Sequence, residues 1–137
     1  MWTVRNKIIP FAGCKALTVW PLLFQRAKYM TDADLRHEAI HGRQQREMLC
    51  VGAVLAVVLA AGGCGWWSVA ALPVYFWWYG AEYVLRVCRC WIAGGRQEDL
   101  HDAYRTVSFE REAYFFQGDD GYLERRRRFC WARYVFD

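Results

Sequence analysis

The chain has 137 residues, a length that fits one domain. Hydrophobic residues make up 55% and aromatics 18%, while net charge is only +4. That combination excludes a disordered chain and argues against a nucleic-acid binder, because the basic residues flank an apolar segment rather than forming a patch of their own. Six cysteines occur without a CxxC pair or a secretion signal, so they read as reduced, packed thiols in a cytoplasm-facing protein.

The first region, 1–30, reads as a small β-hairpin. Val4 to Pro10 and Ala16 to Gln25 are rich in Val, Ile, Leu, Phe and Trp, with Gly13 as the turn between them. Pro10 and Pro21 confine both strands to edge-like roles. A helix then starts at Thr31, an N-cap with Asp34 in the capping-box position, and Asp32 and Asp34 suit its positive N-terminus. This helix, 31–61, carries His37-Glu38-Ala39-Ile40-His41, which uses two of the three histidines. Positions i and i+4 share a helix face, so both imidazoles can reach one metal ion. Glu38 can then serve as a general base toward a metal-activated water.

The same helix runs on into an uncharged stretch from Met48 to Ala81. A run of that length and composition reads as membrane-embedded. Gly62-Gly63-Cys64-Gly65 divides it, leaving a second membrane helix over 66–93. Either two spanning helices or a re-entrant hairpin fits. Eight Lys/Arg precede Met48 and ten Arg follow Ala81, so the positive-inside rule places both flanks, and both termini, on the cytoplasmic side of the membrane. Glu82 and Arg86, four apart, are expected to form a structural ion pair. A third helix is expected over 97–117, bearing His101, Glu110 and Glu112. The tail, 122–137, joins Arg125-Arg126-Arg127-Arg128 to Phe129, Trp131, Tyr134 and Phe136, a composition suited to an anionic lipid surface.

A catalytic zinc site takes three protein ligands. His37 and His41 supply two, and the residues themselves leave His101, Glu110 and Glu112 open as the third. The HExxH followed by Glu110-Arg111-Glu112-Ala113 resembles the HExxH…ExxAD pattern of gluzincin metallopeptidases, in particular membrane-embedded ones such as the CAAX prenyl proteases and the heat-shock membrane protease. The chain also resembles, over nearly its full length, small bacterial membrane proteins with HEAIH and SFEREAY segments, which have no established activity to transfer. The gluzincin resemblance implies a minimal zincin-like core with a two-helix membrane hairpin. It also implies Zn²⁺ held by His37, His41 and Glu110, Glu38 as general base, and a peptide or membrane-protein substrate laid along an edge strand, a part that Ala16 to Gln25 could play. The pattern departs at Tyr114, where the family has Asp, which puts the support of the ligands in question. Tyr104, Arg105 and Tyr114 are the residues that could stabilise an oxyanion.

Overall fold

The computed structural model describes residues 1–5, 15–26, 28–92 and 99–136. The protein is mainly α-helical, with a three-stranded sheet at its N-terminus. Strands β1 (Trp2–Arg5), β2 (Ala16–Val19) and β3 (Leu22–Gln25) are arranged β1-β3-β2, with β3 parallel to β1 and antiparallel to β2. This corrects the expected hairpin. Ala16 to Gln25 is not one strand; it folds back on itself at Trp20 and Pro21. Pro21 fits there because a turn needs no ladder N–H from it. Gly13 and Pro10 lie outside the described residues.

The edge strand β2 faces the first helix. The Gln45 amide donates to the Thr18 carbonyl at 2.7 Å and accepts the Trp20 N–H at 2.7 Å. One glutamine side chain thus satisfies part of an edge that would otherwise recruit another strand.

Helix α1 (Asp32–Leu59) starts with the full capping box: Thr31 Oγ1 accepts the Asp34 N–H, and Asp34 accepts the Thr31 N–H. Without proline it continues for 28 residues, about 42 Å at 1.5 Å per residue. A wide turn, Ala60–Cys64, and a 3-10 helix, Gly65–Ala71, follow it. Gly63 (φ 90°) and Gly65 (φ 55°) hold left-handed backbone there, conformations that favour glycine. Glycine is required for a different reason at Gly52. A Cβ on Gly52 would sit 2.5 Å from the Ala71 carbonyl oxygen, so its absence lets the returning chain lie against α1.

The second apolar piece is therefore not one helix over 66–93. The 3-10 segment ends at Ala71, and α2 (Val74–Ile92) begins after Pro73, a residue suited to a helix start. The expected helix over 97–117 is likewise two: α3 (Asp99–Thr106) and α4 (Ser108–Phe116), with Val107 extended between them (φ −54°, ψ 134°). The break has a cause in α2. Buried Glu82 accepts the Ser108 N–H at 2.9 Å and its hydroxyl at 2.6 Å, and so caps α4. Arg86 neutralises Glu82 at 2.6 Å, the expected i,i+4 pair. Gly94-Gly95 falls outside the described residues. The tail forms α5 (Tyr122–Arg125) and a 3-10 turn (Cys130–Tyr134). Trp131 packs with Met48, Tyr75, Val107 and Phe109, and Tyr122 with Ile40 and Ala113.

The run Asp32–Ala71 is long and apolar enough to cross a membrane, and only 11% of its most apolar window is buried in the protein. Among the described residues no second helix meets the same test.

Candidate metal centre

Two helices bring three ligand atoms together. His37 and His41 project from one face of α1, and Glu110 reaches them from the first turn of α4. The His37 and His41 Nε2 atoms are 3.0 Å apart. Glu110 Oε2 lies 3.3 Å from His37 Nε2, and Oε1 lies 3.3 Å from His41 Nε2. Ligands bonded at about 2.0 Å around a tetrahedral ion are separated by roughly 3.3 Å, and each histidine stands at about that distance from one of the two Glu110 oxygens, so the carboxylate sits astride the pair of imidazoles. His37, His41 and Glu110 could therefore hold a metal ion.

The hydrogen-bond pattern points the same way. Glu110 Oε2 is buried and, among the described residues, has no aligned hydrogen-bond donor despite its nearness to His37. Its partner oxygen accepts from the Tyr79 hydroxyl at 3.0 Å. Burial alone raises the Glu110 carboxyl, but the His41 charge and the close approach of both imidazoles outweigh it and hold the group well below the usual carboxylate range. An ionised buried carboxylate facing two imidazole nitrogens is a donor set for a divalent cation.

The tautomer of His41 follows from its neighbours. Gln44 is fully buried; its amide nitrogen donates to the Phe109 carbonyl at 3.0 Å and to Glu112 Oε2 at 3.1 Å. Its oxygen must then face His41 Nδ1, 2.8 Å away, with the Tyr75 hydroxyl 3.3 Å from the same nitrogen. His41 Nδ1 carries a proton that Gln44 accepts, so Nε2 is the nitrogen turned to the metal position; burial disfavours a second proton on the ring but the Glu110 charge holds it there, and a metal ion would displace it from Nε2. Glu112 is anchored in turn: it accepts from Tyr122 at 2.7 Å and from Arg126 at 2.5 Å. Arg126, whose side chain is 1% exposed, also pairs with Glu47.

Of the three residues left open as third ligand, Glu110 is the one brought to the histidines. Glu112 points the other way, into the Arg126 and Gln44 network. His101 stacks on Tyr104 at a centroid distance of 6.3 Å and lines the cleft beside the site. Tyr114 meets His37 ring edge to face at 4.6 Å, and the Arg105 guanidinium covers the Tyr114 ring at 4.6 Å. Among the described residues His37 Nδ1 is buried with no hydrogen-bond partner.

Glu38 lies on the cleft wall with His37, Ala16, Tyr104 and Tyr114; the cleft holds about 560 Å³. Its Oε2 accepts from the Thr18 hydroxyl at 2.7 Å. Sequence reasoning missed Gln44, Tyr79, Thr18 and the burial of Arg126. The one available signal was for Gln44, three residues after His41 and hence on the same helix face. The others depend on contacts between distant segments. No protein-family model, curated protein or solved structure matches the chain.

Proposed function

We propose that the protein is a membrane-bound zinc metallopeptidase of gluzincin-like construction, hydrolysing peptide bonds near the cytoplasmic surface of a bacterial inner membrane. The observation that carries this reading is the convergence of His37, His41 and Glu110 on one point, with Glu38 on the wall of an open cleft beside His37. A zinc ion bound there would supply Lewis acidity and a lowered water pKa.

The chain's own residues have distinct parts. His37, His41 and Glu110 hold the ion. Glu38, with one oxygen fixed by Thr18, takes the proton of the attacking water and returns it to the leaving amine. Tyr104 is on the cleft; burial, then the Glu110 charge, push its phenol upward, so it stays protonated and able to donate to an oxyanion. An extended peptide adds to the edge of β2 at Ala16, which lines the cleft.

The membrane part of the proposal rests on the apolar arm. From Arg46 to Gly62, α1 and the turn after it rise about 24 Å, against a hydrocarbon thickness of about 30 Å. The arm and its 3-10 return make a two-segment hairpin that penetrates deeply from one side. Basic residues on both flanks keep both termini cytoplasmic.

Glu38→Gln tests the chemistry. It keeps size and polarity and removes basicity, so zinc content should stay at one per chain while cleavage of a membrane-proteome digest falls about 10²-fold or more. Identical products from both proteins, or none from either with zinc bound, would favour a non-catalytic metal site.

A further inference from the structure

We propose that Arg43, Arg46 and Arg128 form a binding site for the phosphate of an anionic phospholipid headgroup, at the level where the apolar arm leaves the protein. Arg43 and Arg46 are three apart on α1 and share a face. Arg128 comes from the tail, and all three line one cavity of about 370 Å³ with Phe129. All three are exposed, and among the described residues none makes an ion pair. Glu124 is the exposed acid on the rim.

The fold brings these cations together deliberately. Half-buried Glu47 accepts from Arg126 and from the Phe129 N–H at 3.0 Å, which ties the tail loop to α1 beside Arg43 and Arg46. Arg126 spends its charge on Glu47 and Glu112, so the attraction left in the cavity belongs to the other three arginines. Guanidinium groups from two elements around a shared space repel one another, and a phosphate oxygen cluster relieves that repulsion through paired N–H donors.

The position selects a lipid over a free anion. Leu49 is 40% exposed and Val54 66%, on the same helix just past Arg46. Val54 lies about 12 Å along the axis from Arg46. If the apolar side chains enter the hydrocarbon, the arginines stand at the phosphate layer, where each basic side chain gains from an anionic surface.

This inference rests on the membrane part of the proposed function and not on its chemistry. Alkaline carbonate extraction of native membranes tests that part by itself. The site is tested on detergent-purified full-length protein by thermal shift with dioctanoyl phosphatidylglycerol, dioctanoyl phosphatidylcholine and inorganic phosphate. Phosphatidylglycerol should raise the melting temperature of the wild type, and the other two at the same concentration should not. The half-saturating concentration should rise roughly 25-fold in Arg43→Gln/Arg46→Gln and roughly fivefold in Arg128→Gln, at about fivefold per arginine. Arg133→Gln, away from the cavity, should titrate like wild type. The lysine double variant Arg43→Lys/Arg46→Lys keeps the charge without the paired donors and should fall between wild type and Arg43→Gln/Arg46→Gln, which separates lost charge from a damaged fold. Wild-type titration by Arg43→Gln/Arg46→Gln, an equal response to phosphatidylcholine, or a shift reproduced by inorganic phosphate would each overturn the proposal.

Discussion

The two halves of α1 have inverted surroundings. In the first half the polar side chains turned toward α4 are buried: Gln44 is fully covered, His41 7% exposed, and across the interface Glu112 is fully covered and Glu110 3% exposed. Beyond Gly52 no residue of the helix is buried, and Val54, Val57 and Val58 are 66%, 69% and 60% exposed. One face of the helix thus keeps polar groups inside the protein, while its far end leaves apolar groups outside. Gln44 and Glu112 tolerate burial because each has partners, and covering them fixes their geometry. Exposed valines have no such compensation in water, which is what the proposed membrane placement of the second half would supply.

The largest effect expected on the polar half comes from Arg126→Ala. It leaves fully buried Glu112 and half-buried Glu47 without their cation, a loss of about 3–5 kcal/mol. The melting temperature of purified protein should fall sharply. A near-normal transition would mean that the tail is not what holds α1 against α4.

On the apolar half, Val57→Arg should cost about 2.5–3.5 kcal/mol if the position lies deep in a bilayer, and within about 0.5 kcal/mol of nothing if it faces water. The fraction of protein resisting carbonate extraction reads the difference. Unchanged membrane retention and stability would place this surface in water and remove the contrast between the halves.

Gln44→Leu keeps bulk and removes the amide that sets the His41 tautomer. Metal affinity should drop about 10–100-fold, the scale for residues that support a ligand. Competition with a chromogenic chelator measures it, and no change would show that Tyr75 alone can orient His41. The smallest expected effect is a gain. Tyr114→Asp offers His37 Nδ1 an acceptor it lacks and should tighten metal binding by about tenfold. Weaker binding would mean that the Tyr114 ring against His37 matters more than the missing hydrogen bond.

Local chemistry was legible from the residues alone. The capping box at Thr31 and Asp34, the shared face of His37 and His41, the glycine break at 62–65 and the Glu82–Arg86 pair all lie within one element or one turn, where spacing dictates proximity. The strand boundaries in Ala16 to Gln25 were not legible, because an apolar run reads the same whether it extends or folds back at Pro21. The break at Val107 was hidden as well, since a carboxylate 25 residues upstream of it makes the cap.

What the sequence by itself determined is a helix able to present two imidazoles to one ion with a glutamate beside them, followed by a segment long and apolar enough to cross a membrane. Only the tertiary structure decided which carboxylate completes the set. Glu110 and Glu112 are two apart on one helix, so they project in different directions, and helix rotation sends one to the histidines and the other to Arg126. That rotation is fixed by Glu82 capping Ser108, Gln44 gripping Phe109 and Glu112, and Trp131 packing on Phe109. Each of these contacts joins segments far apart in the chain, and their geometry exists only once the whole core has closed.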